Sequence, residues 1–366
     1  MRASNVPEDL AGAILTIDLD AIVANYELLR TRAATETAAV VKADAYGLGA
    51  ARVAPRLWGA GCRIFFVAHP AEGIALRATL PPEAEIHILN GLLPGTATYV
   101  QQRLIPVLGS LAEIDRWRAE GDGHACDIHI DTGMLRLGLA PDELALLAAA
   151  PDRLVGLDVR FVMSHFASAD DDKTPQNAAQ RDAFWAARKI LPMGQTSFAN
   201  SAGIFLGPEY RGDVVRAGFS LYGGSPTPWT TNPMRQAVTL MGRVLAVRHA
   251  RPGDTVSYGA TFKAEKPMRV ATVGVGYADG YPRALSSKGF GNIDGVRLPV
   301  LGRVTMDLIM LDASAVPADN CRPGAWVELI GPNVPLDAVA EAAGTIGYEI
   351  LTSLGPRYHR RYLPGE

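Results

Sequence analysis

The sequence predicts an α/β chain in two parts, an N-terminal (β/α)8 barrel of the TIM type over residues 1–235 and a C-terminal, mostly β domain over 236–366. Three observations carry this. From about residue 13 to 235, short apolar or β-branched runs alternate with longer Ala- and Leu-rich stretches of helical pattern, as in repeated βα units. The strand candidates number close to eight. The polar residues Lys42, Asp131, His165, Asn200 and Arg216 stand at or just beyond candidate C-terminal strand ends, where barrels gather their chemistry.

In chain order, the barrel candidates are 38–42, 63–67, 85–89, 105–108, 126–130, 159–163, 197–200 and 214–217. Their spacing leaves room for a helix between most pairs. Helices are expected over 18–30 and 141–150, the second opening Pro-Asp-Glu with acids that suit a helix N-terminus. The same alternation is compatible with an open doubly wound sheet, because the last two units are short. Beyond a Pro-, Thr- and Trp-rich stretch at 224–233, the pattern turns to β-type runs at 236–248, 268–275, 296–301 and 326–330, and helical periodicity nearly disappears. Arg251-Pro252-Gly253-Asp254, Asp294-Gly295 and Gly331-Pro332-Asn333 are turn chemistry between those strands.

At 366 residues and 48% hydrophobic content the chain can build two sizeable cores. A net charge of -3 with no basic run gives no footprint for nucleic acid. Cys62, Cys126 and Cys321 are far apart and lack CxxC spacing, so buried reduced thiols are expected, with neither disulfide framework nor metal cluster. Residues 1–12 carry Glu8 and Asp9 without a basic and then apolar leader pattern, and no later run reaches membrane-spanning length. The expectation is a cytoplasmic protein with no membrane partner.

Within Val40-Val41-Lys42-Ala43-Asp44-Ala45-Tyr46-Gly47, one lysine ends an apolar run just before a glycine-rich loop. A lysine held among apolar neighbours loses solvation of its charged form, so its pKa falls and the amine becomes a nucleophile or base near neutrality. Such a lysine also serves as an ordinary strand-end solubiliser. His129-Ile130-Asp131-Thr132-Gly133-Met134-Leu135-Arg136 reads alone as a turn with a surface arginine, and Met163-Ser164-His165 as a hydrogen-bonded core histidine. Asn200-Ser201-Ala202-Gly203 is a helix cap or an anion-binding helix start. Gly274-Val275-Gly276-Tyr277-Ala278-Asp279-Gly280 is not a dinucleotide loop, since its last glycine comes one residue late and no βαβ unit follows.

VVKADAYG closely resembles the lysine motif of alanine racemases, which bind pyridoxal 5'-phosphate through that lysine. Further segments resemble the same family in order: DTGMLR at 131–136, NSAG at 200–203, VRAG at 215–218, SYG at 257–259, GYADG at 276–280 and GRVTMD at 302–307. The resemblance covers nearly the whole chain. It implies an isomerase making D-alanine, a peptidoglycan precursor, by a two-base exchange in which Lys42 serves the D-side and Tyr258 the L-side. Racemisation needs proton removal on one face of a planar carbon and delivery on the other, which two opposed bases supply.

The resemblance further implies that Lys42, Tyr46, Arg136, His165, Asn200, Ser201, Arg216, Gly218 and Phe219 bind the cofactor. Tyr46, Gly218 and Phe219 would serve the phosphate, His165 would stack on the ring, and Arg216 would meet the ring nitrogen. Arg136 would also hold the substrate carboxylate, with Tyr277, Met306 and Asp307 as further substrate contacts. Tyr258 would reach the partner's site, so a homodimer with shared active sites is implied. Two departures stand out. His129 occupies the place of a lysine that is often carbamylated, and Pro356 the place of a tyrosine, for which Tyr358 is a candidate substitute. A racemase of broader specificity, acting on serine or other amino acids, is the alternative within the family. A fold-related decarboxylase fits less well, because Asp319-Asn320-Cys321-Arg322-Pro323 does not resemble its cysteine segment. A cofactor-binding carrier without turnover would lack the added β domain.

Overall fold

The computed structural model describes residues 6–364; after a single 3-10 turn at Glu8–Leu10, its first strand is AILTID at Ala13–Asp18 (β1). Eight parallel strands then close a barrel: β2 (Glu36–Val40), β3 (Ile64–Val67), β4 (Glu85–Ile88), β5 (Leu104–Leu108), β6 (Ala125–His129), β7 (Asp158–Met163), β8 (Gln195–Ser197) and β9 (Val214–Ala217). Each of the eight candidates from the sequence overlaps a barrel strand, though 197–200 does so only at Ser197, and the open sheet is excluded. Ile-Phe-Phe-Val in β3 and Leu-Ile-Pro-Val-Leu in β5 are buried throughout, as expected for strands covered on both faces. Helices occupy the crossovers, and their starts are written locally. Ser110 Oγ accepts from Glu113 N at 3.2 Å before Leu111–Glu120, and Pro141 and Pro175 fill first helical positions.

The barrel belongs to a compact unit made of Ile22–Leu221 and Ser225–Met234; the other unit takes the chain up to Ala21, Tyr222–Gly224 and everything from Arg235 on. The boundary thus departs from the expected 1–235 and 236–366. The cause is β1, which pairs parallel with His359–Leu363 and antiparallel with Val238–Ala250 instead of joining the barrel. A Cβ on Gly12 would sit 2.6 Å from Gly274 O, so glycine is what lets the chain enter this sheet at close range. Residues 1–5 of the amino-terminal stretch lie outside the described residues.

The second unit is built on the long strand Val238–Ala250. Its first half lies between β1 and Trp326–Ile330; past an irregularity between Val244 and Ala246, its second half pairs with Met268–Val273, itself paired with Ile309–Asp312. A hairpin of Phe290–Ile293 and Val296–Pro299 extends the sheet. Two helices, Leu336–Ala343 and Gly347–Ser353, correct the expectation that helix nearly disappears here; Gly344 at φ 70 separates them. No described helix is long and apolar enough to cross a membrane. The three cysteines are buried free thiols, and no group of metal-ligating side chains occurs among the described residues.

Candidate active site

Lys42 follows β2 by two residues. Val41 N still donates to Phe66 O of the neighbouring strand at 2.9 Å, and then the backbone turns left-handed: Ala43 (φ 51, ψ 43), Asp44 (φ 55, ψ 53), Ala45 (φ 54, ψ 53) and Tyr46 (φ 54). Each such residue costs an L-amino acid about 1–2 kcal/mol, so four in succession need support from outside. Asp44 closes the far end, its Oδ1 accepting from Ala50 N and its carbonyl from Gly49 N. Burial, and then the cation of Arg136, lower the Lys42 pKa; Glu72 opposes this and Arg216 adds to it. The amine is thereby brought nearer to its neutral, nucleophilic form.

Arg216, on β9, is buried. Its guanidinium donates to Ser197 Oγ (2.7 Å), Ser164 O (2.6 Å), Phe198 O (3.1 Å) and His165 Nδ1 (3.1 Å), none of them a carboxylate. Burial brings its pKa down to about 10, with Asp127 opposing, so it stays a cation at neutral pH. Because an arginine can only donate, His165 Nδ1 must accept and the imidazole proton sits on Nε2. Burial, then Arg216 and Arg136, hold the His165 pKa well below the usual histidine value. His165 is therefore a flat neutral ring.

His129 ends β6, and burial followed by the same two arginines pushes its pKa down to about 3. It is neutral as well. Beyond it, the Asp131 carboxylate accepts from the backbone N-H groups of Gly133, Met134 and Leu135; burial resists its charge, but these bonds outweigh it and hold its pKa low. Asp131 thus shapes the turn that presents Arg136. Gln180 on the helix Pro175–Arg188 ties this turn to the end of β7, since its Nε2 donates to Thr132 Oγ1 (3.2 Å) and His165 O (3.0 Å).

Ser201, Gly218 and Tyr46 form a polar cradle. Gly218 N donates to Ser201 Oγ at 2.9 Å, and a Cβ on Gly218 would stand 2.7 Å from the Tyr46 hydroxyl. Phe219 follows directly, and the Ser220 hydroxyl behind it is buried without a hydrogen-bond partner. Asn200 Oδ1 accepts from Gly203 N at 2.9 Å, capping a helix of only four residues, Gly203–Leu206. The helix start expected to face phosphate is therefore a single turn, and hydroxyl and backbone donors must do most of that work. This donor set, with Lys42, Arg136 and Arg216 nearby, fits a phosphorylated aldehyde with a flat ring.

The other predicted residues lie in the second unit. Tyr258 is exposed on a short turn between Thr255–Val256 and Phe262–Lys263, anchored where Ser257 Oγ donates to Arg303 O at 2.7 Å. Tyr277 N donates to Thr305 O and Ala278 N to Met306 O, both at 3.0 Å, bringing GYADG and GRVTMD together with Tyr277 and Met306 exposed. Asp307, expected among the substrate contacts, accepts from Arg357 Nη1 at 2.8 Å. The same guanidinium grips Asp279 at 2.6 and 2.9 Å. Tyr358 is 1% exposed, and its buried hydroxyl has no hydrogen-bond partner among the described residues.

Sequence reading missed the residues that support this site. Ser197 and Gln180 belong to no motif, and Ser164 enters only as the neighbour of His165. Below the site, His87 is buried between the rings of Phe66 and Phe161 (centroids 4.6 and 5.0 Å), with Nδ1 2.7 Å from Asp127 Oδ2. Burial opposes the imidazolium, but Asp127, with Glu85 on the other side, outweighs it and raises the His87 pKa. Asp127 Oδ1 also accepts from Phe161 N where the β6–β7 register shifts.

Residues 17–226 match the family description "Alanine racemase, N-terminal domain", and 237–362 match "Alanine racemase, C-terminal domain". The alanine racemase of Acidiphilium cryptum is 51% identical over 94% of this chain and 97% of its own. That of Rhodospirillum rubrum is 48% identical, covering 97% of each chain. The crystal structure of alanine racemase from Bartonella henselae with covalently bound pyridoxal phosphate superposes with a TM-score of 0.93 at 42% identity, over 96% of this chain and 100% of that one. Two matching domains, near-complete coverage and the barrel-end lysine agree, and the chain belongs to the alanine racemase family.

Proposed function

We propose that this chain interconverts L-alanine and D-alanine as a pyridoxal 5'-phosphate-dependent racemase, with Lys42 and Tyr258 as its two bases. The observation that carries the proposal is the barrel-end amine of Lys42, its pKa lowered by burial and by Arg136, in one electrostatic neighbourhood with Arg216 and the neutral ring of His165. When bound, the cofactor withdraws electrons from the substrate α-carbon and makes its proton labile. Lys42 would hold the cofactor covalently, and Tyr46, Asn200, Ser201, Gly218 and Phe219 would hold its phosphate. His165 would support the ring, and Arg136 would hold the ring oxygen and the substrate carboxylate.

Arg216 supplies a lasting positive charge where many enzymes of this cofactor place a carboxylate, which disfavours a proton on the ring nitrogen. The site is thereby restrained toward proton exchange and away from transamination. Lys42 moves the α-proton on the D-side, and Tyr258, supplied by a partner subunit of a homodimer, moves it on the L-side. Tyr277 and the Met306 backbone line the substrate's approach. Asp307 serves by anchoring Arg357, which the ion pair supports. A cytoplasmic location belongs to the same proposal. The test is racemisation of alanine, serine and lysine by the chain supplied with pyridoxal phosphate. Alanine is expected to turn over fastest; comparable serine turnover would make it a broad-specificity enzyme, and no turnover of any of the three would overturn the proposal.

A further inference from the structure

Three glutamates, Glu72, Glu113 and Glu143, brace the C-terminal rim of the barrel in one way. Each is the third residue of a crossover helix. Glu72 Oε2 accepts from Ala68 N (2.8 Å) and His69 N (3.0 Å) at its own helix start, while Oε1 reaches back to Ala43 N at 2.6 Å. Glu113 likewise accepts from Gly109 N (2.7 Å) and reaches back to Leu92 N (2.9 Å). Glu143 accepts from Ala140 N (3.2 Å) and reaches back to Leu111 N (3.0 Å). Capping needs only one carboxylate oxygen. The other ties each loop to the loop before it.

Of the three, only Glu72 grips the lysine turn. Its target, Ala43 N, belongs to the first left-handed residue after Lys42, in a backbone conformation that four consecutive non-glycine residues do not hold unaided. We propose that Glu72 is the positioning residue of Lys42, its carboxylate pinning the left-handed turn and so the direction in which the amine leaves the barrel rim. Glu72 also provides the negative charge that opposes the lowering of the Lys42 pKa by burial and Arg136. The inference rests on the reading of Lys42 as the cofactor lysine.

The experiment compares Glu72→Gln with Glu113→Gln, which removes the same kind of brace away from the lysine. An amide has one acceptor oxygen where the carboxylate has two, so each variant loses one end of its brace, and folding is checked by helical signal and melting. Lys42 reactivity is read first without cofactor, as acylation by an amine reagent across pH, mapped by mass spectrometry. Glu72→Gln should move the Lys42 midpoint down by roughly half a pH unit or more, because an anion near the amine is lost. It should also lower kcat about 10- to 100-fold, with KM changing less, since a misdirected reacting group is costly. Glu113→Gln should change melting only. A Glu72→Gln protein equal to Glu113→Gln in both midpoint and kcat overturns the proposal.

If Glu72→Gln does not fold, Glu72→Asp decides, since it keeps the charge but shortens the reach to Ala43 N. It should lose kcat with little change in midpoint; wild-type kcat would overturn the proposal. Wild-type protein that never captures pyridoxal phosphate at Lys42 refutes the cofactor reading instead, which separates the two failures.

Discussion

Arg216 and His165 are joined by a hydrogen bond of 3.1 Å in which the guanidinium donates and Nδ1 accepts. That direction fixes the histidine tautomer and, with burial and Arg136, keeps the ring uncharged. Nitrogen NMR of histidine-labelled protein should show His165 as the Nε2-H tautomer with no titration between pH 6 and 9. A protonation step in that window would show that the ring is not the neutral support inferred here.

His129 gives the protein an acid-sensitive term of calculable sign. Its native pKa of about 3 lies below the ~6.5 of an unfolded histidine. Below pH ~6.5 the unfolded chain therefore takes a proton that the native chain refuses. The contribution is intact above that pH and is lost as pH falls toward 3, to a limit of about 5 kcal/mol. His129→Gln should show a shallower decline of urea-unfolding free energy between pH 6.5 and 4 than the wild type. Parallel declines would place the acid sensitivity elsewhere.

Below the site, Asp127 pairs with the fully buried His87 at 2.7 Å. Removing one member of a buried pair leaves the other uncompensated, and Asp127→Asn should cost about 3–5 kcal/mol by urea unfolding at pH 6–7. A loss under ~1 kcal/mol would mean that the pair is neutral or readily hydrated.

How much of this was legible beforehand follows from the physics of each residue. Most barrel strands could be read because buried parallel strands are rich in apolar residues, whereas β8, Gln-Thr-Ser, was met only at Ser197; the lysine, histidine and arginines were expected at the site because barrel chemistry gathers at strand ends. β1 misled the domain boundary: its alternation announces a strand, but nothing local tells that its partner is Val238–Ala250, more than two hundred residues away. Gln180, Ser197 and Glu72 were invisible for a related reason. Glu72 and Gln180 act from helices by hydrogen bonds to distant loops, and Ser197 acts from β8 by accepting from Arg216 on β9; a polar residue carries no local mark of such a distant partner. The left-handed turn was hidden because Ala43, Asp44 and Ala45 are ordinary helix-compatible residues whose conformation is imposed from outside.

In the second unit, Arg357 joins Asp279 and Asp307 and thereby holds the segments that carry Tyr277 and Met306. A lysine lacks the fork needed to serve both carboxylates. Arg357→Lys should raise KM for alanine about tenfold while kcat changes by less than about threefold, because ground-state and transition-state binding weaken together. Unchanged KM would detach these segments from substrate binding.

The two-base assignment is tested most directly by single-turnover exchange of the α-hydrogen in deuterated water, comparing wild type with Tyr258→Phe and starting from each enantiomer separately. Loss of a positioned base costs about 10²–10⁴-fold. The account predicts a loss of that order for abstraction from L-alanine, with abstraction from D-alanine by Lys42 largely retained. Equal losses from both enantiomers would contradict it.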